Sequence, residues 1–279
     1  DRRAGRMTTS ESRPLCEILN TIKLPGVELS VLPVHGHRFV LIMRGNGLSD
    51  QLTETDPQRT EAAPLPVNSL SPEGEKTAAA ANAFIAQAKD LLKGERKANM
   101  VLLRGFSRLP NLPPMGHAYA LDPAAIAAYP MYRGLAHVVG MNVIPTGASF
   151  DAELETLAEH YQEHDFFYIH YKPADAAGED GDFEAKVRAL EELDARIPRL
   201  LELDPDVLVV AGDHATPAIM AAHSWHPVPV LIRSQLTRGD GVDAFHERAC
   251  AAGSLGTFPA TNLMLLALAH AGKLAKYGP

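Results

Sequence analysis

The stretch that decides the fold is Leu208–Ile232, LVVAGDHATPAIMAAHSWHPVPVLI. An apolar run, Val207–Ala211, stops abruptly at Gly212-Asp213-His214, and a second apolar run, Val228–Ile232, follows His223. Short continuous runs of Val and Leu are the mark of a strand buried on both faces in an α/β protein. Ligands of such folds gather beyond the carboxyl ends of the strands. Asp213 and His214 are therefore expected on the rim of a sheet, with His223 returning to the same rim. Aspartate with histidine suits zinc, manganese or iron better than calcium. The same pair, taken alone, is equally compatible with a helix cap followed by a surface imidazole.

Outward from this stretch, strand and helix alternate. A helix is expected from Asp122 to Tyr129, interrupted by Pro130, and another over Tyr132–Gly140. A short strand follows at Met141–Pro145, a helix at Phe150–His164 and a strand at Asp165–Tyr171. Val187, Leu190, Leu193, Ile197 and Leu200 recur at helical spacing and predict a helix over Phe183–Leu203, bent at Pro198. A last helix is expected over Asn262–Lys273. This βαβ alternation predicts a parallel or mostly parallel sheet with helices on both faces.

Upstream, Val27–Leu32 and Arg38–Arg44 read as strands, Glu73–Lys93 as an Ala-rich helix starting near Ser71-Pro72, and Asn99–Leu103 as a strand. Gly45–Pro72 is a long loop, in which Asp56-Pro57 reads as a turn. Ser107–Gly116 holds three prolines and reads as a linker. The expected division is residues 1–112 and 113–279.

Composition narrows the function. The 279 residues are 46% hydrophobic and 22% charged, with a formal net charge of -8, the profile of a globular protein without a nucleic-acid or anionic-membrane surface as its main business. No run approaches a membrane span and no signal peptide is visible. Two distant cysteines, Cys16 and Cys250, point to a reducing, cytoplasmic setting. The opening DRRAGR reads as text from within a longer protein, so an amino-terminal portion is expected upstream.

A second acidic group, Asp175, Glu179, Asp180 and Asp182, follows the strand at 165–171. It reads as a loop whose carboxylates repel unless a cation screens them. Asp182 fits the cap of the next helix; Asp175 and Glu179 fit a metal, giving a plausible two-metal site with the Asp213 group.

On these motifs the chain resembles the archaeal-type cofactor-independent phosphoglycerate mutases of the alkaline phosphatase superfamily. The resemblance rests on KPADAAGEDGDFEAKVRALEELD (172–194), GDHATP (212–217), HSWHPVPVLI (223–232) and YPMYRGLAHVVGM (129–141). DRRAGR (1–6), HRFVLIMRGNGLSDQLTETDPQ (37–58), NAFIAQA (82–88), ANMVLLRG (98–105) and GKLAKYG (272–278) extend it over the whole chain.

The resemblance implies an alkaline-phosphatase-like domain with a smaller α/β (α+β) domain inserted as a substrate-closing element. The implied chemistry interconverts 3-phosphoglycerate and 2-phosphoglycerate through a phosphoserine, with two divalent ions (Mn, Mg, Zn or Co). Asp213 and His214 would bind one ion, Asp175 and His223 the other. Glu179 stands where many relatives have histidine, which puts that ligand in doubt or shifts preference towards harder ions. The nucleophilic serine, and an aspartate sharing its metal, lie in the family before DRRAGR. Ser10, Ser12 and Ser69 sit in loop-like text and do not replace them, so this chain alone is expected to be inactive and its sheet short of strands. Arg104, Lys172, His37, Arg38 and Arg133 are the expected contacts of a small phosphorylated hydroxy acid, with Arg2, Arg3 and Arg6 close by in the motifs. No nucleic-acid or membrane partner is expected; a homo-oligomer is compatible. His170 and His137 read as core or surface residues, His226 as a group orienting a ligand, and Trp225 as packing. The alternatives are a phosphatase or phosphonate-processing hydrolase of the same superfamily, or an inactive metal- or anion-binding remnant.

Overall fold

The computed structural model describes residues 1–59 and 61–274. The chain divides into two compact units, Asp1–Asn111 and Leu112–Pro279. Residues 275–278 of the GKLAKYG motif lie outside the described residues.

In the first unit, helix α1 (Thr9–Leu19) precedes an antiparallel pair, β1 (Glu28–Pro33) and β2 (Phe39–Arg44), and helix α2 (Glu75–Leu92). Helix α1 corrects the reading of Ser10 and Ser12 as loop residues. Thr8 and Glu11 form a reciprocal capping box at its start, which satisfies amide groups that otherwise have no partner. Phe84, Ala81 and Ala88 of α2 are fully buried against Val31 of β1, Leu19 and Ile22. Asn99–Leu103, expected as a strand, forms none. Val101 and Leu103 enter the core, while the Leu103 backbone bonds to Thr55 at 2.7–3.0 Å. That loop contact takes the amide and carbonyl that a ladder would use.

In the second unit, helix α3 (Met115–Tyr119) leads to β3 (Pro123–Ile126), α4 (Pro130–Val138), β4 (Asn142–Val143), α5 (Phe150–His160) and β5 (Phe166–Ile169). Helices α6 (Pro173–Glu179), α7 (Phe183–Asp194) and α8 (Ile197–Leu201) follow. Strands β6 (Val207–Ala211) and β7 (Val230–Ser234), then α9 (Glu247–Ala251) and α10 (Leu263–His270), complete it. Strands β4, β3 and β5 form a parallel sheet in that order. Strands β6 and β7 pair separately and antiparallel. The connection between them contains one 3-10 turn, Ala218–Met220, and lacks the packed crossover helix that parallel neighbours need.

Three expectations change here. Residues 122–129 are not a helix: Ala124, Ala125, Ile126 and Ala127 are all 0% exposed. Full burial on a central strand overrides the helical preference of alanine. Pro130 starts a helix rather than interrupting one, with its ring in the first turn, where the missing N–H has no cost. The long helix over 183–203 is two helices, with Pro198 in the first turn of α8.

Candidate metal centre

Asp213 and His214 stand just past strand β6, whereas Asp175 and Glu179 lie on α6 after β5 and His223 lies in the loop between β6 and β7. Strand β5 ends at Ile169; His170, Tyr171 and Lys172 follow it, and Pro173 then starts α6. The acidic stretch expected as a loop is therefore helical from Pro173 to Glu179, and only residues 180–182 form a turn before α7. Asp175 lies in the first turn of α6 and Glu179 at its end; Asp182 caps α7, accepting from the Ala185 amide at 2.8 Å. Strand β6 delivers Gly212, Asp213 and His214. An isolated bridge between Ala215 and Ser224 folds the following loop back, which carries His223 to His214. Their rings lie 3.8 Å apart between centroids.

The result is a continuous chain of donors. His214 Nε2 is 3.5 Å from Asp213 Oδ2, and His214 Nδ1 is 3.8 Å from Asp175 Oδ1. His223 Nε2 is 3.7 Å from Asp175 Oδ1 and 3.6 Å from Glu179 Oε1. One atom each from Asp175, His214 and His223 fall within 4.8 Å of one another. Ligands about 2.0–2.2 Å from one ion lie up to roughly 4.2 Å apart, so the His214–Asp213 pair at 3.5 Å and the His223–Asp175 pair at 3.7 Å are each spaced to share an ion. Carboxylate oxygens with imidazole nitrogens are the donor set of a borderline divalent cation. The residues fit such an ion.

Polar neighbours hold the carboxylates ready. Burial would raise the Asp175 carboxyl, but hydrogen bonds from Lys172 and Thr216 outweigh it and leave it below the usual range. Thr216 donates to Asp175 Oδ1 at 2.6 Å, and Lys172 pairs with Oδ2. Asp213 is also held low: burial opposes ionisation, while the Tyr132 hydroxyl, donating to Oδ2 at 2.8 Å, and the adjacent His214 favour it. Tyr132 is 6% exposed and stacks on His170, with centroids 3.4 Å apart. Burial lowers the His170 pKa to about 4, so it is a neutral packing ring at physiological pH. Sequence reasoning missed Tyr132 and Thr216. Thr216 lies inside the GDHATP motif, where it could have been found, whereas nothing in the spacing of Tyr132 points to Asp213.

Other expectations resolve differently. His226 bonds to Ser224 at 2.9 Å and stacks on Trp225, so it orients neither His214 nor His223. Trp225 is 82% exposed and is not core packing. Arg133 lies half-buried on α4 beside Tyr132, and His137 in the last turn of the same helix.

In the first unit, Arg2 forms a two-pronged pair with Asp56 at 2.7 Å. Arg104 reaches Asp56 and Glu54 at 3.3 Å each. Asp56 also accepts from the Gln58 amide at 2.8 Å, making the expected turn. Burial and the nearby positive groups of Arg38, Arg3, Arg6 and His35 depress the His37 pKa. These residues form a basic neighbourhood around His37 and Arg38.

An α/β unit that gathers carboxylates and imidazoles at its strand ends has the build of a metal-dependent enzyme. The family model that matches, over residues 4–270, is the Metalloenzyme superfamily. A Thermosipho melanesiensis protein named "Probable 2,3-bisphosphoglycerate-independent phosphoglycerate mutase" is 48% identical over all of this chain and 70% of its own length. A Thermus thermophilus protein of the same name is 46% identical with the same coverage. The solved structure of a Pyrococcus horikoshii protein superposes with TM-score 0.79 at 22% identity, covering 98% of this chain and 72% of that one. The cofactor-independent phosphoglycerate mutase of Thermoplasma acidophilum gives TM-score 0.64 at 24% identity, with the same coverage; at these identities both speak for the fold. The chain belongs to the 2,3-bisphosphoglycerate-independent phosphoglycerate mutases of the metalloenzyme superfamily.

Proposed function

We propose that this protein interconverts 3-phosphoglycerate and 2-phosphoglycerate without added bisphosphoglycerate, by way of a phosphoserine. The observation that carries the reading is the convergence of Asp175, Glu179, Asp213, His214 and His223 from three separate segments. Asp213 and His214 hold one divalent ion; Asp175, His223 and Glu179 hold the other. Manganese, magnesium, zinc and cobalt are the candidate ions. When bound, two such ions supply positive charge that stabilises phosphoryl oxygens and favours the serine alkoxide. Lys172, between β5 and Asp175, adds a cation for the phosphoryl group. Arg38, His37, Arg104 and Arg133 are the groups we propose for the carboxylate and phosphate of the substrate. A transfer of this kind requires that water be kept from the phosphoserine. The phosphoryl group leaves one glycerate hydroxyl for the serine and returns to the other hydroxyl, so no water is consumed. Such a reaction belongs to glycolysis and gluconeogenesis, in the cytoplasm.

The product of the complete gene, supplied with manganese and 3-phosphoglycerate alone, should form 2-phosphoglycerate. Release of inorganic phosphate without 2-phosphoglycerate would falsify the mutase reading. Asp213→Ala should abolish activity and remove about one equivalent of bound metal; retention of full stoichiometry would contradict its role. Glu179→His should shift metal preference towards softer ions, and an unchanged preference order would place Glu179 outside the ligand set.

A further inference from the structure

Thr216 is 4% exposed and held on three sides. Its carbonyl accepts from Lys186 Nζ at 2.5 Å, its hydroxyl lies 2.6 Å from Asp175 Oδ1, and the same hydroxyl lies 3.0 Å from His214 Nδ1. Gly178 of α6 packs so closely on it that a Cβ there would sit 2.3 Å from the Thr216 carbonyl oxygen. The hydroxyl is thus fixed between two ligand candidates that come from different segments.

Donor counting decides the protons. A threonine hydroxyl has one proton to give, and an ionised carboxylate can only accept. The proton therefore goes to Asp175. The contact with His214 must be filled by Nδ1–H donating to the Thr216 oxygen. A neutral imidazole protonated on Nδ1 carries its lone pair on Nε2, and His214 Nε2 is the atom 3.5 Å from Asp213 Oδ2. We infer that Thr216 is a positioning residue, which selects His214 Nε2 as the cation-binding atom beside Asp213 and ties that pair to Asp175. This rests on the reading of the cluster as a metal centre. It adds to it a reason why two ligand sets from neighbouring segments keep a fixed relation. Groups that hold a ligating imidazole in one tautomer contribute about 10–100-fold to metal affinity.

The experiment has two readouts. Long-range proton–nitrogen correlation spectra of histidine-labelled, metal-free protein in alkaline buffer, with His214 assigned by a His214→Gln variant, report the tautomer directly. The expected wild-type signal is Nδ1–H, retained in Thr216→Ser and lost to a mixture in Thr216→Val. Calorimetric titration with manganese should show Thr216→Val weakened about 10–100-fold and Thr216→Ser within a few-fold of wild type. An Nε2–H tautomer in the wild type overturns the inference, even if Thr216→Val does not fold. So does a Thr216→Val protein with wild-type tautomer and affinity. Wild-type protein that shows the Nδ1–H tautomer yet takes up no ion supports the hydrogen-bond assignment while sinking the metal reading.

Discussion

Glu153 shows what a single buried group does to this protein. It is 2% exposed; one carboxyl oxygen accepts the Ala128 amide at 2.7 Å and the other has no partner. Burial, opposed only partly by that amide, pushes its pKa from 4.5 up to about 7. The folded protein then keeps a proton that the unfolded chain has already released. The stability this contributes is full below pH 4.5, falls as pH rises, and is gone above about 7. Across that window wild type should lose roughly 3 kcal/mol relative to Glu153→Gln, which keeps the acceptor for Ala128 but does not titrate. Parallel thermal-melting curves for the two proteins against pH would refute it. The candidate metal centre divides in the same way between visible and hidden residues. Asp213 and His214 were legible because an apolar run ended on them. Thr216 and Tyr132 were not, because their roles depend on partners 41 and 81 residues away in sequence.

Element boundaries followed local physics where periodicity was strong. β1, β2, α2, β5 and β6 were legible from alternation or apolar runs. Strand β3 was not, since Pro-Ala-Ala-Ile carries no β-branched pattern and only its burial between neighbours makes it a strand. The acidic group read as a loop because four carboxylates suppress a helical pattern, yet Pro173 at the start of α6 and the bond from Thr216 to Asp175 hold the helix. Close approach of α6 to the Thr216 loop requires a glycine at 178. Gly178→Ala should therefore force the two apart, at a cost of about 1–3 kcal/mol, and weaken metal uptake. Gly134 offers the contrast: it lies inside α4 with no neighbour within 4 Å of an added Cβ. Gly134→Ala should stabilise by about 0.5–1 kcal/mol. Denaturant titration of both variants is the check, and equal effects would show that helix propensity, not packing, governs position 178.

At the scale of the molecule, each unit has its own core. Phe84, at 0% exposure, is among the largest fully buried side chains and lies in the core of the first unit. Phe84→Ala should destabilise that unit by about 3–5 kcal/mol, while His214 and Asp175 of the second unit still take up metal. Fluorescence melts alongside manganese titration separate the two effects; simultaneous loss of both would show that the units fold as one. The two units divide at Asn111, within a stretch where Pro110, Pro113 and Pro114 disfavour a continuous helix or strand; α3 starts directly after Pro114, inside the expected linker.

The pairing of β6 bears on how the protein behaves in concentrated solution. Val-Leu-Val-Val-Ala is half-exposed along most of its length and, among the described residues, is hydrogen-bonded along one edge only, to β7. An apolar strand with an open edge is a template for a strand from another molecule. The segment that leads to Asp213 and His214 of the candidate metal centre thus also carries an unpaired edge among the described residues, so a variant that exposes β6 further should precipitate more readily.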